Sequence, residues 1–204
     1  TVMSLAGYVY PNVYGSAAAQ STASLLGTVI MLIVCAPFAS KLAAKFGKKE
    51  LAVASSICSA LVWLVCLIWR PASVWGFVAC YILANIGMGF FNTIIWAMIT
   101  DVIDDAEVRS GIREDGTIYS VYSFARKLGQ AFSSGLVGAL LGIIGYTEAT
   151  AFDPAVTRGI FNMACIAPII GFVCIVLALV FLYPLNKKKV EENVAALAAR
   201  RNNK

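Results

Sequence analysis

The chain has 204 residues, 60% of them hydrophobic and only 13% charged, with a formal charge of +5 and no histidine. Soluble domains run near 45–50% apolar and about 25% charged, so a water-soluble enzyme of this composition is excluded. Histidine-based catalysis and histidine metal sites are excluded with it.

The first 40 residues carry no charge, and Pro11, Asn12, Gly15 and Ser16 divide them into a fragment ending near Tyr10 and a span near 22–42. Uncharged stretches of 19, 30, 20 and 28 residues then separate Glu50 from Arg70, Arg70 from Asp101, Lys127 from Glu148 and Arg158 from Lys187. A helix rising 1.5 Å per residue crosses hydrocarbon in about 20 residues, so further spans are predicted near 51–69, 75–100, 117–144 and 160–183. Backbone amides in lipid must bond within their own segment, and no barrel-type alternation is present. The fold class is an all-α membrane protein. Thr1 follows no signal-peptide pattern and the first segment is about half a span, which predicts a piece of a longer polytopic chain with its first helix truncated.

Cysteines 35, 58, 66, 80, 165 and 174 lie within the spans without CxxC spacing, so they read as small apolar residues, with no zinc site and no disulfide. Twelve basic residues fall on one side: Lys41, Lys45, Lys48, Lys49, Arg109, Arg113, Lys187, Lys188, Lys189, Arg200, Arg201 and Lys204. The positive-inside rule makes that side cytoplasmic, in a multi-pass plasma-membrane protein with a cytoplasmic C-terminus. The tail after Asn186 is expected to be a short solvated helix whose basic residues meet anionic lipid headgroups. The net charge describes this asymmetry and calls for no nucleic acid.

An ionisable group within a span is costly and normally faces a cavity or a partner. Ser120, Ser123, Lys127, Gln130 and Ser134 fall within an arc of roughly 80° at 100° per residue, a polar stripe that predicts a water-filled cavity at Lys127. Snorkelling to the headgroups is the alternative, and is the expectation for Arg126. In the preceding span Asn85, Gly89, Asn92 and Trp96 share an arc of about 60°. Amides there could orient hydroxylated ligands and Trp96 could stack on a sugar; interhelical hydrogen bonding and close helix approach explain the same residues. No acidic residue lies mid-span, so if transport is ion-driven the coupling carboxylates belong to another part of the protein.

Residues 101–116, DVIDDAEVRSGIREDG, read as a charged loop without the spacing of a calcium site. Residues 90–132 around it resemble the helix 10 to helix 11 region of glycoside–pentoside–hexuronide:cation symporters, relatives of the melibiose and glucuronide permeases in the major facilitator superfamily. Trp96, Asp101, Asp104, Glu107, Gly111, Arg113, Asp115, Gly116 and Lys127 match that family's pattern. Asp105 departs from it, standing where the family usually has an aromatic residue. Phe46–Lys49 resemble the basic turn after helix 8, with Ala44 where an acid is common.

The resemblance implies the C-terminal six-helix half of a sugar:cation symporter working by alternating access. Residues 1–14 would be the end of helix 7, 15–186 helices 8–12 and 187–204 the cytoplasmic basic tail. The expected partners are a sugar or glycoside, the bilayer and an N-terminal six-helix half. That other half would bind most of the coupling Na⁺ or H⁺, and no other cofactor is expected. Lys127, Ser123, Gln130, Asn92 and Trp96 would line the substrate cavity, while Asp101, Asp104, Glu107 and Arg113 would form the gate. Two rival readings are a membrane sensor on a transporter scaffold and a Ser–Lys hydrolase built on Ser123 and Lys127.

Overall fold

The computed structural model describes residues 2–202, with side chains from Ser4 to Arg201; Thr1 and Lys204, the last of the twelve basic residues, lie outside the described residues. The described residues form seven helices joined by short turns. They are α1 (Val2–Tyr14), α2 (Ala17–Phe46), α3 (Lys48–Trp69), α4 (Val74–Ser110), α5 (Asp115–Ile143), α6 (Pro154–Phe181) and α7 (Lys187–Asn202). Four of them, α2, α3, α4 and α6, are long and apolar enough to cross a membrane. The predicted span 117–144 forms α5, which at 29 residues has the length but is less apolar because of its polar stripe.

Several boundaries move. The first helix runs through Pro11 to Tyr14 instead of ending near Tyr10, and the break falls at Gly15, whose positive φ of 66° suits a residue without Cβ. Residues Met31–Cys35 of α2 wind as π-helix just before Pro37, whose missing N–H disturbs the regular ladder there. The largest correction concerns 101–116: residues 101–110 are the last turns of α4, and only 111–114 are non-helical. Charge alone suggested a loop, yet a helix that outruns the hydrocarbon becomes polar without unwinding. Gly111, with φ 76°, ends it.

The core joins α1, α3, α4 and α6 through an aromatic cluster. Phe77 packs 5.4 Å from Tyr10, 6.0 Å from Trp63 and 5.9 Å from Phe161, measured between ring centroids. Small residues let the helices approach. A Cβ on Gly87 would lie 2.5 Å from the Ser55 carbonyl oxygen, and one on Gly89 would lie 2.7 Å from Cys35 Sγ. Ser59 Oγ donates across this seam to the Ala84 carbonyl at 2.9 Å. At the far end Arg70 takes the left-handed conformation that closes α3, and its Nη2 donates to Asn162 Oδ1 at 3.0 Å. These contacts fix α4 as the backbone on which both polar regions are mounted.

Candidate functional site

The first polar region lies where α5 meets α4. Tyr119, Tyr122 and Arg126, spaced three and four apart, occupy one face of α5 and surround Trp96. Ring centroids are 6.4 Å from Tyr119 and 5.3 Å from Tyr122, and the Arg126 guanidinium lies 5.7 Å above the indole. Such a cation over a tryptophan face is held by the ring quadrupole, worth about 0.5–2 kcal/mol. Trp96 itself remains 45% exposed. At the other end of α5, Val137 and Leu141 enter the core, and they are the helix's only buried residues.

Between these two footholds the helix stands uncovered. Ser123, Lys127 and Gln130 are exposed, Asn92 is half-buried, and the Lys127 ammonium makes no ion pair or hydrogen bond among the described residues. Among the described residues no hydrogen bond joins Ser123 to Lys127. Asn85 donates to the Tyr81 carbonyl of its own helix at 2.7 Å, and Gly89 packs on Cys35; neither opens onto α5. Sequence reasoning expected Arg126 to snorkel, where the structure lays it over Trp96, and it passed over Tyr119 and Tyr122, although the spacing of the three on one helical face was the signal.

The second region gathers at the basic end of the bundle. Lys48 Nζ, at the start of α3, donates to Asp101 Oδ1 at 2.6 Å. Asp101 is only 4% exposed, and its Oδ2 is buried without a hydrogen-bond partner, so Lys48 alone compensates that charge. Tyr183 beside it donates to the Met98 carbonyl at 3.3 Å; burial, and then the Asp101 charge, push its phenol well above the ordinary range.

Arg113 reaches back from the turn after α4. Its Nη1 donates to Asp104 Oδ1 (2.9 Å) and Glu107 Oε2 (2.8 Å), and its Nε to Asp115 Oδ2 (2.8 Å). Glu107, Asp104 and Asp115 hold the guanidinium proton even more firmly than usual. The four residues expected together therefore divide into a Lys48–Asp101 pair and an Arg113 triad. Lys48 was not foreseen as a partner, because its proximity depends on how α3 and α4 cross.

Asp105 also finds a role. Its Oδ1 accepts from the buried Asn193 Nδ2 of α7 at 2.9 Å, and its Oδ2 pairs with Arg109 Nη2 at 2.8 Å. Arg200 donates to the Glu107 and Val108 carbonyls at 3.3 and 2.9 Å, capping the end of α4. The tail helix is thus docked along α4, not freely solvated, with Leu197 buried in the contact.

Residues 1–187 match the model of a family described as MFS/sugar transport protein. The chain belongs to that family. Among its relatives, the glucuronide carrier protein homolog of Escherichia coli (strain K12) is 30% identical over 181 residues, 87% of this chain and 38% of that protein. A putative sulfoquinovose importer of the same organism is 29% identical over 177 residues, again 87% of this chain and 37% of the relative. An uncharacterized symporter of Bacillus subtilis (strain 168), YjmB, is 33% identical over 165 residues, 81% of this chain and 35% of the relative. The chain therefore spans little more than a third of the length of these relatives. Membership in the family, with four membrane-length helices, makes this a multi-pass membrane protein.

Proposed function

We propose that this chain is the C-terminal half of a sugar:cation symporter that works by alternating access. In that reading 1–14 is the end of helix 7, 15–186 holds helices 8–12, and the basic side with its tail is cytoplasmic. An N-terminal six-helix half supplies most of the Na⁺ or H⁺ site. The observation that carries the proposal is the uncovered stripe on α5. A 29-residue helix with an ammonium, three hydroxyls and an amide along one face cannot expose that face to lipid without several kcal/mol of unsatisfied polarity. A second bundle enclosing water is the covering that leaves those groups solvated.

Trp96 stands beside the stripe with Arg126 fixed on its ring, so a sugar bound at the exposed edge of Trp96 lies next to the Arg126 cation, and Lys127 follows about 100° further round α5. That arrangement favours sugars bearing a carboxylate or sulfonate, the groups carried by a glucuronide and by sulfoquinovose. Asp101, Asp104, Glu107 and Arg113 act as the cytoplasmic gate, their ion pairs closed in this conformation and broken in the opposite one. Coupling between states of about 1–3 kcal/mol is within what such pairs can supply.

The test is cation-driven sugar uptake by the full-length protein carrying Lys127→Ala. Loss of accumulation with normal membrane insertion is expected. Normal accumulation would remove Lys127 from the pathway.

A further inference from the structure

A cleft of about 350 Å³ lies between the last turn of α4 and the first turn of α7, lined by Arg109, Pro184, Asn186, Lys188, Lys189 and Glu192. We infer that this cleft seats the phosphate of an anionic phospholipid headgroup. This site is independent of the solute pathway on α5.

Charge supports the assignment first. Three cations face one carboxylate, and Glu192 sits 3.8 Å from Lys189 while Lys188 makes no ion pair among the described residues. Arg109 is anchored through Nη2 on Asp105, and a guanidinium has five N–H donors, so its remaining edge is oriented yet open. Planar forks of this kind bind phosphate oxygens in pairs. The start of α7 adds unpaired backbone N–H groups, since Asn186 Oδ1 caps only Lys189 N–H, at 2.9 Å.

Position then selects a lipid over a free anion. Just before the cleft α6 ends at Phe181 and Leu182, which are 77% and 80% exposed. Two large apolar side chains left bare at the end of a membrane-length helix mark the hydrocarbon boundary, and the acyl chains of a lipid seated in the cleft run along them. Pro184–Asn186 then carries the chain from hydrocarbon depth to the three consecutive lysines. A soluble phosphate would use only the charges; a phospholipid uses both surfaces. Seated there, the headgroup bridges α4 and α7 and reinforces the docking already made by Asn193 and Arg200.

The experiment is native mass spectrometry of the full-length protein in detergent, supplied with phosphatidylglycerol or phosphatidylcholine. Wild-type protein is expected to retain phosphatidylglycerol preferentially. Each basic side chain near an anionic surface is worth roughly fivefold in binding, so Arg109→Gln with Lys188→Gln should lower that preference by at least about tenfold. Lys41→Gln with Arg158→Gln, basic positions outside the cleft lining, should leave it intact. If the first pair lowers the unfolding temperature, Lys188→Gln against Lys188→Arg decides, with arginine retaining the lipid. An unchanged preference in the cleft variants, an equal loss in the control pair, or displacement of the lipid by inorganic phosphate would each overturn the assignment.

Discussion

Lys48 and Asp101 meet at 2.6 Å across two helices, one residue after Gly47 turns the chain from α2 into α3. The geometry depends on Gly47, whose φ of 105° is a conformation that residues with a Cβ rarely adopt. A single glycine thus sets the start of α3, and the start of α3 delivers an ammonium to a carboxylate that has no other charge partner.

Removing the ammonium should therefore be worse than removing both groups. Lys48→Ala leaves a buried carboxylate uncompensated, at a cost of about 1–3 kcal/mol, and should lower the unfolding temperature in detergent. Adding Asp101→Asn should recover much of that loss, a coupling read from the double-mutant cycle. Additive losses would mean that the pair is not a unit.

Arg113 serves three carboxylates from an exposed turn, so its removal should affect state balance more than folding. Arg113→Ala should leave the unfolding temperature close to wild type while altering the ratio of inward to outward accessibility, measured by alkylation of engineered cysteines. Arg113→Lys should restore only part of the balance, since an ammonium cannot reproduce a planar fork.

The close approach of α3 and α4 should tolerate no added methyl. Gly87→Ala places Cβ against the Ser55 carbonyl and the Ser59 hydroxyl. Overpacking costs about 1–3 kcal/mol, against a helix-propensity gain of under about 1 kcal/mol. The contacted carbonyl is backbone and cannot swing aside, so the variant should unfold at a lower temperature. Gly138→Ala, where a Cβ meets nothing within 4 Å, is the control expected to be neutral or stabilising.

Docking of the tail helix includes one buried side-chain hydrogen bond, Asn193 to Asp105. Asn193→Leu should strand the Asp105 oxygen and loosen α7, so that limited proteolysis after Arg200 or Lys189 proceeds faster than in wild type. Unchanged protection would assign the docking to Leu197 and Arg200 instead.

Much of the fold was legible because hydrophobic run length is the property that a bilayer selects. The uncharged stretches predicted α2, α3, α4 and α6, with ends displaced by several residues. The charged segment after Thr100 was misread, since ten residues of which six are polar look like a loop when only span length is considered. Asp101, Asp104 and Glu107 nevertheless carry helical spacing, and that was the available signal. Within the site, Trp96 and the stripe on α5 followed from periodicity. The partners of Asp101 and Asp105 did not, because Lys48 and Asn193 lie 53 and 88 residues away and are brought in by helix crossing alone.

The most direct test of the account is whether water reaches the α5 stripe at membrane depth. In the full-length protein with Cys58 and Cys174 replaced by alanine, single cysteines at Ser123 and Gln130 should react with a charged, membrane-impermeant thiol reagent, and a transported sugar should slow that reaction. A cysteine at Phe132, on the opposite apolar face, should stay unreactive. Inert cysteines at 123 and 130 beside a reactive one at 132 would contradict the solute pathway proposed for this helix.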